Sequence, residues 1–80
     1  MEALKNNPLR VVGSKQVLRA LKSGTLQKVY VANDADTFLF QRVTTAAENA
    51  NVPVVRVPTM REIGQACGVE VASAAAGILK

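Results

Sequence analysis

Leu9-Arg10-Val11-Val12-Gly13-Ser14-Lys15-Gln16-Val17-Leu18-Arg19-Ala20-Leu21-Lys22-Ser23-Gly24 holds a strand, a turn and a helix, and the rest of the 80-residue chain continues that alternation. Leu9 to Val12 reads as a brief strand closed by Gly13, and Ser14 stands where a side chain can cap a helix. From Lys15 to Lys22 the apolar residues Val17, Leu18, Ala20 and Leu21 share one side at helical spacing. Lys15, Gln16, Arg19 and Lys22 share the other. Ser23 and Gly24 terminate this helix, whose apolar stripe requires a sheet or a second helix to cover it.

Working outward, a short helix is expected over Glu2 to Lys5 and is ended by Pro8. Downstream, Lys28 to Ala32 predicts a strand rich in β-branched residues, followed by a turn over Asn33 to Asp36. Asp34 or Asp36 can cap a long helix running to about Ala50, with Leu39, Val43, Ala46, Ala47 and Ala50 as its buried stripe and Phe40 beside it. Val52 to Val57 is a nearly continuous apolar run, which suits a strand covered on both faces. A further helix starts near Thr59 and ends at Cys67, with Gly68 as its left-handed terminator. Val71 to Leu79 predicts a helical turn and then a last buried strand. The order α-β-α-β-α-β-α-β calls for a single domain over residues 1–80, a three-layer α/β/α sandwich around a central four-stranded mixed sheet.

With 49% apolar residues, one cysteine and no histidine, such a domain must be held by packing rather than by disulfides or a metal. Met1 to Asn7 lacks the apolar segment of a secretory leader, and no apolar run nears the roughly 20 residues that span a bilayer. A cytoplasmic location is expected. The formal charge of +4 is unevenly spread: residues 1–28 hold six cations against Glu2, leaving +5, whereas residues 29–80 hold four cations and five acids. A polyanion would meet the N-terminal third, where clustered cations release counterions from a phosphate backbone.

Catalysis finds little support. Activating Cys67 would need a base, no histidine exists, and a small thiol at a helix end reads as core. Asp34 and Asp36 beside a helix start are explained by capping. Asp34, Asp36 and Glu48 form no metal-ligand spacing. Gly13-Ser14-Lys15 holds only a fragment of a phosphate loop. That fragment offers backbone amides and a lysine to one phosphate of a larger polyanion; equally, Gly13 can serve only a tight strand-to-helix turn.

Two segments go further. Val12-Gly13-Ser14-Lys15-Gln16-Val17-Leu18-Arg19-Ala20-Leu21 resembles the signature of the kink-turn-binding ribosomal L-seven-Ae family: a glycine-led turn, a polar pair and a basic residue one turn later. Ile63-Gly64-Gln65-Ala66-Cys67-Gly68-Val69-Glu70-Val71-Ala72 is similar to the family's segment that ends the fourth helix and forms the second RNA-facing loop. Lys28 to Asp36 resembles the strand and acidic turn between them, so the likeness covers nearly the whole chain and points to the short bacterial branch.

The resemblance implies an α/β/α fold and recognition of kink-turns, in which a bulge beside sheared G·A pairs bends an RNA duplex. Most members carry asparagine, glutamate and lysine where this sequence has Lys15, Gln16 and Arg19. Gln16 keeps a carbonyl acceptor for guanine protons, Lys15 can donate to guanine acceptors or phosphate, and Arg19 remains cationic. The implied site is therefore the Gly13-Ser14 turn, Lys15 and Gln16 on guanine edges, and Arg19 and Lys22 on phosphate. Lys28 and Arg10 add electrostatic support, while Val69, Glu70, Val71 and Ala72 close over an extruded base. The expected partners are structured RNA containing a kink-turn and the ribosome; DNA, membranes and cofactors are not expected, and the chain is expected to be a monomer. A second reading is a protein-interaction subunit using Phe38, which falls off the buried stripe of its helix. A third is a small phosphometabolite-binding or enzymatic domain that uses the Gly13 helix end.

Overall fold

The computed structural model describes residues 4–5 and 7–80. Seven elements follow one another: β1 (Arg10–Val12), α1 (Ser14–Ser23), β2 (Leu26–Ala32), α2 (Thr37–Asn49), β3 (Val54–Val57), α3 (Met60–Cys67) and β4 (Ala75–Leu79). The strands form one sheet in the order β1-β4-β2-β3, with β4 antiparallel to both its neighbours and β3 parallel to β2. Glu2, in the expected first helix, lies outside the described residues, while Leu4 is fully buried on the α3 side.

Strand alternation sorts the core into two layers. Val29 and Val31 of β2 and Ala75 of β4 meet Val17, Ala20 and Leu21 of α1 and Val43 and Ala47 of α2. Tyr30 and Ala32 of β2 and Ala76 and Ile78 of β4 meet Ile63 and Cys67 of α3 on the opposite face. Among the described residues the sandwich is thus α1 and α2, sheet, α3, with three helices flanking a four-stranded mixed sheet. Each fully buried valine, leucine or isoleucine contributes roughly 1.5–3 kcal/mol, which makes this packing the main support of a domain whose cysteine is free.

Three local expectations are corrected. β2 begins at Leu26, two residues early, because a register irregularity between Leu26 and Lys28 turns Leu26 onto the same face as Val29 and leaves Gln27 in solvent. β3 is an edge strand, yet the run is covered on both faces as expected: Val52 and Val54 pack against the α1 and α2 layer and Val55 and Val57 against the α3 layer, with only Arg56 of the strand exposed. Residues 68–74 form no helical turn before β4. Ser14 is the first residue of α1 rather than its cap; Gly13 occupies the cap position, and no side chain caps this helix.

The other helix ends follow the residues closely. Asp36 accepts a hydrogen bond from the Phe38 N–H at 3.1 Å and caps α2. Asp34 serves a different helix: its Oδ1 accepts from the Met60 N–H at 2.8 Å, at the start of α3. Thr59 Oγ1 accepts from the Glu62 N–H at 3.2 Å, and Gly24 and Gly68 adopt the left-handed conformation after α1 and α3.

Candidate nucleic-acid interface

Because β4 runs antiparallel to β1 and β2, the start of β4 and the ends of β1 and β2 lie at one edge of the sheet. The Gly13 turn and the loop 68–74 are thereby neighbours. The contact is direct: the Ala75 carbonyl accepts the Gly13 N–H at 2.9 Å and the Ser73 hydroxyl at 2.7 Å. Ser73 N–H donates to the Met60 carbonyl at 3.1 Å, Ala32 N–H to the Ala74 carbonyl at 2.9 Å, and Asn33 N–H to the Val57 carbonyl at 2.7 Å. Together with the Asp34–Met60 bond, these tie the turns after β1, β2 and β3 to the segment that enters β4.

Gly13 sits at φ 102° and ψ 142°, a conformation that disfavours any side chain. The first intrahelical bond runs from the Val17 N–H to the Gly13 carbonyl at 3.0 Å. The amides of Ser14, Lys15 and Gln16 therefore precede the hydrogen-bonded ladder. Helices α2 and α3 have capping side chains, whereas the first turn of α1 holds no acid and carries Lys15. Such an end attracts an anion or a hydrogen-bond acceptor.

Lys15 and Gln16 are exposed at this turn. Lys15, Arg19 and Lys22, at positions i, i+4 and i+7, form an exposed basic stripe about 10 Å long by helical rise. Arg10 and Lys28 are placed elsewhere: both pair in register with Ile78 of β4, on the α3 side of the sheet. Arg10 donates to the Asn7 carbonyl at 3.0 Å, and the Lys28 ammonium lies 5.3 Å from the centre of the Tyr30 ring. The structure thus gathers Gly13, Ser14, Lys15, Gln16, Arg19 and Lys22 on one helix start and its outer face and leaves Lys28 outside that group.

On the second loop, Val69, Glu70, Val71 and Ala72 are all exposed, and Val71 shows 72% of its surface to solvent. An apolar side chain so exposed has faces free to pack on a planar ligand. The loop rests on α3 through Gly64, where an added Cβ would collide with the Val71 carbonyl oxygen and come within 3.2 Å of Ala72 Cα. Gly64 and Ser73 were not among the residues picked out from sequence. A glycine inside a helix is itself a signal of close approach; the Ser73 N–H bonds to Met60 in another turn, and the acceptor of its hydroxyl is shared with the distant Gly13, so neither partner shows in the sequence.

Cys67 faces the core, where burial pushes its thiol above the usual range against a smaller opposing pull from Arg10. That disfavours a reactive thiolate. No group of three or more potential metal ligands occurs among the described residues, and none of their helices is long and apolar enough to cross a membrane.

The family model for "Ribosomal protein L7Ae/L30e/S12e/Gadd45 family" matches residues 2–80. The chain belongs to this family. It is 49% identical over 70 residues to "RNA-binding protein YbxF" of Geobacillus stearothermophilus, a match covering 88% of this chain and 85% of that protein. It is 38% identical over 69 residues to "RNA-binding protein TTE2299" of Caldanaerobacter subterraneus subsp. tengcongensis, covering 86% and 84% of the two chains. Among solved structures, the "Giardia lamblia 15.5kD RNA binding protein" superposes with a TM-score of 0.80 at 29% identity, over 90% of this chain and 61% of that one. A Bacillus halodurans protein of unknown function, at 21% identity and a TM-score of 0.81 over 90% of this chain and 72% of that one, shares the fold.

Proposed function

We propose that this family member binds RNA and recognises kink-turns without performing catalysis. RNA binding is supported by the names of its relatives and by the basic α1 stripe. The observation that carries the kink-turn reading is the shared Ala75 carbonyl, which holds an uncapped, lysine-bearing helix start beside an exposed apolar loop. In this reading Lys15 and Gln16 contact guanine edges at the sheared pairs, and Arg19 and Lys22 engage phosphates. Val69 and Val71 cover an extruded nucleotide while Glu70 and the loop backbone hydrogen-bond to it. A protein that prefers the bent RNA shifts its population towards that state. Association with the ribosome would follow where ribosomal RNA supplies the element.

The test compares a kink-turn RNA with the same RNA whose G·A pairs are replaced by Watson–Crick pairs, at about 0.15 M salt. Tighter binding to the intact element, reduced by Lys15→Ala and Gln16→Ala, is expected. Equal, salt-sensitive binding to both would leave a generic basic RNA-binding domain. A second reading, a protein-interaction subunit, draws on Phe38, which is 69% exposed and lines a groove of about 390 Å³ between α1 and α2 with Leu18, Arg42 and Ala46. Phe38→Ala losing incorporation into a ribonucleoprotein complex at unchanged RNA affinity would favour that reading.

A further inference from the structure

We propose that Ser73 is a positioning residue that couples the two RNA-facing loops, so that the Gly13 turn and the loop 68–74 engage RNA as one surface. The inference rests on the kink-turn reading. Ser73 is buried, at 7% exposure, within the run Ala72-Ser73-Ala74-Ala75-Ala76, where a further alanine would keep the apolar pattern. Its hydroxyl is the one side-chain donor in that run. It bonds to the Ala75 carbonyl, the same group that receives the Gly13 N–H.

A carbonyl oxygen has two lone pairs, so both donors are satisfied together and the orientation of the Ala75 peptide is fixed from two sides. One side is the helix start that carries Lys15 and Gln16. The other is the exit of the loop that carries Val69 and Val71. Through its own N–H, Ser73 also holds the Met60 carbonyl, whose residue is held in turn by Asp34. With the hydroxyl removed, the Ala75 residue keeps its register with Val31 and its bond to Gly13 but loses the restraint from the loop side, so the loop is held less firmly relative to the helix start. A purely local serine turn would bind an acceptor that serves nothing else; this acceptor also fixes a segment some sixty residues away in sequence.

The experiment uses the full chain as wild type, Ser73→Ala, Ser73→Thr, Lys15→Ala and the Ser73→Ala/Lys15→Ala double variant. Each is titrated with the kink-turn RNA and its Watson–Crick control, and amide exchange is followed in the RNA-free protein. Ser73→Ala is expected to weaken kink-turn binding about fivefold, and the double variant is expected to fall short of the product of the single losses by a similar factor. Ser73→Thr, which keeps the hydroxyl, restores most of the affinity. The Gly13 amide exchanges faster in Ser73→Ala while the interior amides of β2 are unchanged. Multiplicative losses, or an unaltered Gly13 amide, would reduce Ser73 to a structural residue and overturn the proposal. A wild type with no preference for the kink-turn would instead sink the underlying reading, and the recognition role of Ser73 with it.

Discussion

Placing a methyl group on Gly64 tests whether α3 sets the height of the apolar loop. In an ordinary helix interior Gly→Ala stabilises by about 1 kcal/mol, because glycine loses more backbone freedom on folding. At Gly64 the new Cβ would run into the Val71 carbonyl oxygen, with the Val71 carbonyl carbon and Ala72 Cα each at 3.2 Å. These are backbone atoms and cannot swing aside as a side-chain tip would. To reach ordinary contact the Val71 peptide must withdraw by on the order of 1 Å. Overpacking of this kind costs about 1–3 kcal/mol, which outweighs the gain in helix propensity. Gly64→Ala should therefore destabilise the chain by about 1 kcal/mol, roughly 4–8 °C in Tm for a domain of this size. Lifting Val69 and Val71 off their positions should weaken kink-turn binding about tenfold, or 1.4 kcal/mol. Thermal unfolding and RNA titration read the two effects separately, with exposed Gln65→Ala on the same helix as the neutral control. A Gly64→Ala protein that melts higher than the wild type and binds RNA equally well would refute the close approach.

Three further outcomes are expected. Arg19→Ala and Lys22→Ala should each lower the slope of log affinity against log salt by about 0.7–0.9, whereas Lys28→Ala, on the α3 side against Tyr30, should lower it less; a series of RNA titrations from low to high salt measures this. Asp34→Asn keeps an oxygen for the Met60 amide and should leave stability nearly intact, while Asp34→Ala should cost about 1 kcal/mol by chemical denaturation; equal losses would mean that the charge, not the bond, matters. Burial raises the Cys67 thiol, so the unfolded chain ionises first as pH rises and the folded state loses stability upward through the ordinary thiol range. The stability advantage of the wild type over Cys67→Ala should accordingly shrink between about pH 7 and about pH 10. A difference that stays flat would contradict the buried placement.

Helix α1 was legible because one face needs Val17, Ala20 and Leu21 while the other tolerates cations, and no alternative period fits those residues. The caps at Asp36 and Thr59 and the left-handed Gly24 and Gly68 were legible for a similar reason, since each acts within a few residues of itself. What was missed is non-local. The Leu26 boundary depends on a bulge against β4, and the edge position of β3 depends on the sheet order. Alanines 72 and 74–76 favour helix in isolation, yet Ser73 and Ala74 spend their backbone bonds on Met60 and Ala32, and a helix cannot form where those groups are already engaged. For the candidate site, periodicity placed Lys15, Gln16, Arg19 and Lys22 on the outer face of α1, where they are exposed, while their RNA role comes from the resemblance. Ser73, Gly64 and the true target of Asp34 became visible only once distant segments were side by side.

The distribution of helix caps connects these points to function. A capping side chain stabilises a helix by about 1 kcal/mol, and α2 and α3 each have one, supplied by Asp36 and Thr59. Gly13 forgoes that stabilisation at α1, although the neighbouring loop would gain from a firm anchor there. The anchor comes instead from the Ala75 carbonyl, which holds the Gly13 amide from the sheet side, while the next three amides precede the hydrogen-bonded ladder. Val71 follows the same logic, because an exposed valine forfeits the burial that the core valines enjoy. Local stability is thus given up at two adjacent places, one polar and one apolar, while the backbone beneath them is fixed by hydrogen bonds from the turns after β2 and β3. In the proposed reading, that combination suits a ligand that offers acceptors and an unstacked apolar face close to each other, as a bulged nucleotide beside sheared pairs would.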